Sequence, residues 1–162
     1  MKIRKATLKD VPMIMELWKG FMKDHDEIIL KENPKFRADI EKRKSSPISF
    51  GRYIRKHLRS KNSIVFIAEV NGNPVGYNIN AIKDNIPVFK VEKLGHFFEI
   101  FVRKEFRRMN ISSKFKDLAF KWFRKNGIKH ISMFVNKENK QAHSIYKKWG
   151  FYDFNIEMRR KI

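Results

Sequence analysis

The chain has no cysteine, which excludes a disulfide framework, a thiolate nucleophile and a cysteine-based zinc site. No apolar run approaches the ~20 residues that span a bilayer, and residues 1–20 lack the apolar centre of a secretory signal. A cytoplasmic protein without membrane contact is the expectation. Acid is scarce as well: 17 Asp and Glu face 37 Lys and Arg, for a formal charge of +20. A field of that sign attracts phosphates of any origin, whether on a nucleotide cofactor, a nucleic acid or an acidic partner. It is equally the field of a lysine-rich solvated surface, so charge alone names no function.

The cations concentrate in two stretches. Residues 35–61 hold ten (Lys35, Arg37, Lys42, Arg43, Lys44, Arg52, Arg55, Lys56, Arg59, Lys61) against Asp39 and Glu41. Residues 103–129 hold ten more against Glu105 and Asp117. A hydrophobic fraction of 42% with 15 Phe excludes wholesale disorder, and 162 residues suffice for one domain, residues 1–162, with a real core.

Periodicity divides the chain into elements. Ile3 and Arg4 open a short strand, and Val11, Ile14, Leu17, Trp18, Phe21 and Met22 form a helical stripe whose pattern loosens after Asp24. A second helix carries Phe50, Ile54 and Leu58 on one side. Residues 63–70 and 75–82 read as a hairpin around Asn71-Gly72-Asn73, whose residues suit positive φ. A strand over 94–102, a helix with Ile111, Phe115, Leu118, Ala119, Trp122 and Phe123 inward, a strand over 128–135, a helix over 139–149 and a last strand over 151–158 complete the order. That order, β-α-α-β-β-β-α-β-α-β, predicts an α/β (α+β) fold with a mixed sheet and helices on both faces.

Two segments carry chemistry. The strand ending at Val102 feeds a helix opening at Ile111 through the cationic turn Arg103 to Asn110. Unpaired N–H groups and the helix dipole favour an anion there, and cations are not normally favoured at that end of a helix. In the same strand Glu99 sits among apolar residues, a costly place for an unpaired carboxylate. Glu99 is either a base with a raised pKa or the structural partner of a Lys or Arg. His96 is a weaker base candidate, or an edge histidine. Asp24-His25-Asp26-Glu27 is the densest acidic cluster and reads as a solvated helix end or an attractor of an ammonium group; it is too slight for a metal site.

These residues resemble the GCN5-related N-acetyltransferase (GNAT) family over nearly the whole chain. The family's phosphate-binding signature, Arg/Gln-x-x-Gly-x-Gly/Ala, falls on Arg107-Arg108-Met109-Asn110-Ile111-Ser112, with both glycines replaced, by Asn110 and Ser112. Asn tolerates a left-handed backbone better than other non-glycine residues. A second signature falls on Asn139, Ala142, Ile145, Tyr146, Gly150 and Phe151.

The resemblance implies direct attack of a primary amine on the thioester of acetyl-CoA, through a tetrahedral intermediate and without a covalent enzyme intermediate. It places Ile100, Phe101 and Val102 along the pantetheine arm, one backbone N–H polarising the thioester carbonyl. Arg108, Met109, Asn110, Ile111, Ser112 and Ser113 would meet the pyrophosphate, with Arg103, Arg107 and Lys114 adding charge. Tyr146 would protonate the departing CoA thiolate, and Asn139 would bond the arm while capping its helix. In ribosomal-protein-type N-terminal acetyltransferases a glutamate five residues before the motif asparagine is the base; Phe134 stands there, which counts against that acceptor class. The acceptor's identity is open, and a homodimer is plausible for the family. The competing expectations are a nucleic-acid-binding module using the helix around Arg52-Tyr53-Ile54-Arg55-Lys56-His57, and a CoA-holding interaction domain without turnover.

Overall fold

A computed structural model describes residues 1–160 and 162, so Lys161 within the expected 1–162 domain lies outside the described residues. Five strands form one sheet in chain order: β1 (Lys2–Lys5), β2 (Ser63–Val70), β3 (Asn73–Asp84), β4 (Lys93–Val102) and β5 (Ile131–Met133). β1 to β4 pair antiparallel and β5 joins β4 in parallel, so the sheet is mixed as predicted. The β2–β3 turn uses Asn71 and Gly72 at positive φ, 51° and 79°, the backbone that a tight hairpin requires.

Among the described residues five α-helices accompany the sheet: α1 (Val11–Glu32), a four-residue α2 (Arg37–Ile40), α3 (Ser46–Arg59), α4 (Ile111–Lys125) and α5 (Lys140–Lys148). α1 and α3 cover one face, where Ile14, Leu17, Trp18, Phe50 and Ile54 meet Val65, Ile67, Tyr77, Ile79 and Phe101. α4 covers the other, where Ile111 and Phe115 meet Phe66, Val75 and Val102, and Ala119 and Phe123 meet Phe97. Each of the Val, Leu, Ile and Phe side chains among them, removed from water, contributes roughly 1.5–3 kcal/mol.

Three boundaries depart from expectation. α1 continues eight residues past Asp24, because Ile29 is fully buried and the intervening acids find partners elsewhere in the fold. β5 shrinks from 128–135 to three residues: Ile128 is spent closing α4, its N–H bonding Phe123 O at 3.0 Å, and Phe134 faces solvent. The expected strand over 151–158 is not formed, although its side chains alternate. Among the described residues no neighbouring edge takes up its backbone, and Tyr152, Phe154, Ile156 and Met158 stay exposed.

Candidate functional site

β4 is where the sheet opens. Its pairing with β5 covers Gly95↔Ile131, His96↔Ser132 and Phe97↔Met133 and then stops, while pairing with β3 runs on to Val102. The break coincides with a bulge: Ile79 faces Glu99 and Asn80 faces Phe97, leaving Phe98 as an extra residue. An extra residue bends and twists its strand. From Phe98 onward, the β5-facing edge of β4 therefore lacks a strand partner. Ile100, Phe101 and Val102 lie on this stretch.

The turn that follows leaves a run of backbone donors unpaired among the described residues. Arg108 and Asn110 hold left-handed backbone, φ 66° and 59°, and Asn110 is the N-cap of α4 without capping through its side chain. Asparagine thus does what a glycine would do here. Six consecutive backbone N–H groups, Arg108 to Ser113, donate to no described residue; the first helical bond runs from Lys114 N to Asn110 O at 3.1 Å.

The cations of the turn are only partly free. Arg107 Nε donates to Val102 O at 3.0 Å, and its guanidinium is paired with Asp24 of α1. Lys104 lies 3.2 Å from Asp24 and 3.0 Å from Glu27. Among the described residues, Arg103, Arg108 and Lys114 have no carboxylate partner. The acidic cluster is accordingly neither a solvated helix end nor a free ammonium trap: Asp24 and Glu27 clamp α1 to the basic turn, and Asp26 is paired with Lys42. A cleft of about 320 Å³ remains between α1 and the end of β4, lined by Leu17, Gly20, Asp24, Phe101 and Arg103.

α5 approaches the opened edge from the side of α4. Asn139 Oδ1 accepts from Ala142 N at 3.1 Å, the expected cap. At the other end Gly150, at φ 90°, turns the chain so that Phe151 N donates to Tyr146 O at 3.0 Å. This closure, with Phe151 packed on the Tyr146 ring at 6.4 Å, explains why Gly and Phe follow the tyrosine at that spacing. Trp149 lies 5.5 Å from the Tyr146 ring and 6.4 Å from Phe97 of β4, so α5 is docked where β4 and β5 part. Tyr146 is half-buried, its hydroxyl bonds no described residue, and burial pushes the phenol up to about 12.

Glu99 takes neither a Lys nor an Arg as partner among the described residues. Tyr77, fully buried on β3, donates its hydroxyl to Glu99 Oε2 at 2.6 Å. Burial raises the Glu99 carboxyl to about 7, the tyrosine bond acting against that rise. Sequence reasoning missed Tyr77, since nothing but the β3–β4 register brings the two together. His96 is not at an edge; it lies inside the sheet, with Nδ1 2.8 Å from Ser132 Oγ, and burial, then Lys83, lowers it to about 4. His57 of α3 is lowered to about 4 as well, by burial first and Lys56 second. Both rings are neutral at pH 7 and are weaker bases than the Glu99 carboxylate, whose value lies nearest to neutral pH of the three. No cluster of His, Asp and Glu suited to a metal exists among the described residues.

Comparison with known proteins fits this geometry. A model of the family described as acetyltransferase (GNAT) matches residues 24–151. An uncharacterized N-acetyltransferase of Methanocaldococcus jannaschii is 33% identical over 104 residues, 64% of this chain and 46% of that protein. The match thus spans less than half of that relative's length. An N-alpha-acetyltransferase of Sulfurisphaera tokodaii is 25% identical over 96% of this chain and 82% of its own length. Among solved structures, a predicted acetyltransferase of Clostridium acetobutylicum with acetyl-CoA superposes with a TM-score of 0.79 at 20% identity, covering 99% of this chain and 95% of that one. At that identity the likeness establishes the fold.

Proposed function

The chain belongs to the acetyltransferase (GNAT) family, and on that premise we propose that it is an acetyl-CoA-dependent N-acetyltransferase acting on a primary amine. The observation that carries this reading is the run of six unpaired N–H groups from Arg108 to Ser113, set beside the open edge of β4. Together they offer a diphosphate a helix N-terminus and a thioester arm a strand to lie against. Arg103, Arg108 and Lys114 add charge without surrendering a carboxylate first.

In the reaction, the amine nitrogen forms a bond to the thioester carbonyl carbon and the carbon–sulfur bond breaks. Glu99 takes the proton that the amine must lose, directly or through water; a carboxyl near 7 is matched to that task at neutral pH. Tyr77 holds that carboxylate in one orientation. Tyr146 gives its proton to the departing sulfur. Burial keeps the phenol protonated, and the same desolvation strengthens a thiolate as a base, so donor and acceptor stay comparable. Phe134 carries no ionisable group and stands exposed, so it takes no part in proton transfer, whatever the acceptor.

Titration calorimetry with acetyl-CoA, followed by an amine panel assayed for free CoA thiol, tests the reading. Binding at one site per chain and amine-dependent thiol release are expected. No uptake at millimolar acetyl-CoA would overturn it.

A further inference from the structure

The cationic stretch over residues 35–61 is left without a role by this reading. Between Lys42 and Ala68 the chain has eight Lys and Arg and no acid. α3 presents Arg52, Arg55, Lys56 and Arg59 to solvent, and with Ser60 they line one shallow open groove. Among the described residues none of these four has a carboxylate within ion-pair distance, unlike Lys104 and Arg107. A favourable helix dipole explains cations in the last turn, at Lys56 and Arg59, but not Arg52 and Arg55 farther up the helix. Arg55 is already anchored, its Nη1 donating to Gly51 O at 2.9 Å.

α3 is also rigidly seated. Phe50 and Ile54 are buried in the core, and His57 bonds Ser63 Oγ at 2.9 Å. Apart from Ile48, exposed in the first turn, the apolar residues of this helix face the core, so beyond that turn the outer face offers charge. From Arg52 to Arg59 the cations span about 10 Å, two helical turns. Among the described residues the aromatic rings of this helix are engaged elsewhere, Tyr53 on Phe98 and Phe50 on Trp18, which leaves little for base stacking.

We propose that the exposed face of α3 is a binding surface for the phosphodiester backbone of nucleic acid, indifferent to sequence, and separate from the acetyl-CoA turn. The charge density of a duplex, roughly one phosphate per 1.7 Å of axis, suits four cations in so short a span better than the carboxylates of a peptide do.

The test is fluorescence anisotropy with a labelled 20-base-pair duplex of mixed sequence between 50 and 200 mM salt. The substitutions are R52Q/K56Q/R59Q on α3 and, as a charge-matched control, K121Q/R124Q/K125Q on the exposed side of α4. The α3 variant is expected to weaken binding at least tenfold at 100 mM salt and to reduce the slope of log affinity against log salt by about three, near one per lost contact. The α4 variant is expected to stay within about threefold, and both to keep wild-type acetyl-CoA affinity. Equal weakening by both variants would reduce the effect to net charge and overturn the proposal. So would absence of duplex binding at 50 mM salt, or tighter α3-dependent binding of polyglutamate or anionic vesicles. Should the triple variant not fold, R52Q and R59Q singly are each expected to lower the slope by about one, and an unchanged slope in both counts against the surface.

Discussion

The two cationic regions look alike in composition and differ in backbone and in ion pairing. On α3 the side chains are unpaired and the backbone is an ordinary helix interior with its hydrogen bonds closed. In the turn before α4, Arg107 and Lys104 are tied to α1, while the backbone is the unsatisfied part. One region displays charge alone; the other displays N–H groups beside Arg103, Arg108 and Lys114, and uses Lys104 and Arg107 to hold its own shape. A count of Lys and Arg cannot separate them, whereas φ angles and ion pairs do.

The largest expected effect comes from Ser112→Glu. A carboxylate in the first turn of α4 favours the helix by about 0.3–1 kcal/mol, yet it repels a diphosphate. Acetyl-CoA affinity should fall at least a hundredfold, about 3 kcal/mol, with an unchanged or higher melting temperature. The equivalent insult on α3, R52E/R59E, should leave acetyl-CoA affinity within about twofold. If the two insults cost the same affinity, the distinction between the regions fails.

Glu99→Gln comes next. In the wild type, kcat/KM should rise with pH through about 7 as the carboxyl ionises, and the variant should lose that limb and about a hundredfold in rate at pH 8. Stability must move oppositely. The folded-state value is raised from 4.5 to about 7, so the stability linked to this group is fully present below 4.5 and lost as pH rises through 7. Glu99→Gln should therefore gain on the order of 3 kcal/mol relative to wild type at pH 8 and nothing at pH 4, read by urea unfolding.

Tyr146→Phe should slow turnover by about tenfold to a hundredfold while the calorimetric Kd for acetyl-CoA stays within about threefold. Unaltered turnover would remove the tyrosine from proton donation. The smallest effect is Asp24→Asn. It frees the Arg107 guanidinium, and because exposed pairs contribute at most about 1 kcal/mol, acetyl-CoA affinity should rise by no more than about fivefold.

How much was legible depends on distance along the chain. The stripes of α1, α3 and α4, the Asn71-Gly72 turn and the left-handed Asn110 are local, set by residues within a few positions, and appear in the sequence as patterns. The extension of α1 to Glu32 was hidden because Asp24 and Glu27 are satisfied by Lys104 and Arg107 some eighty positions away. The Tyr77–Glu99 bond was hidden for the same reason, since only the β3–β4 register makes it. Alternation over 151–158 misled, because period two describes side chains and says nothing of whether a neighbouring edge exists for the backbone.

The bulge at Phe98 has a consequence for how this scaffold tolerates change in length. Removing that single residue would leave Glu99 opposite Ile79 and Phe97 opposite Asn80, so every other side chain would keep its face. What would vanish is the bend, and a straightened β4 would be free to zip onto the chain beyond Met133. A one-codon deletion would then close the edge proposed for the thioester arm and also strip the Phe98 ring from Tyr53 and His57, a lesion of access and of packing together.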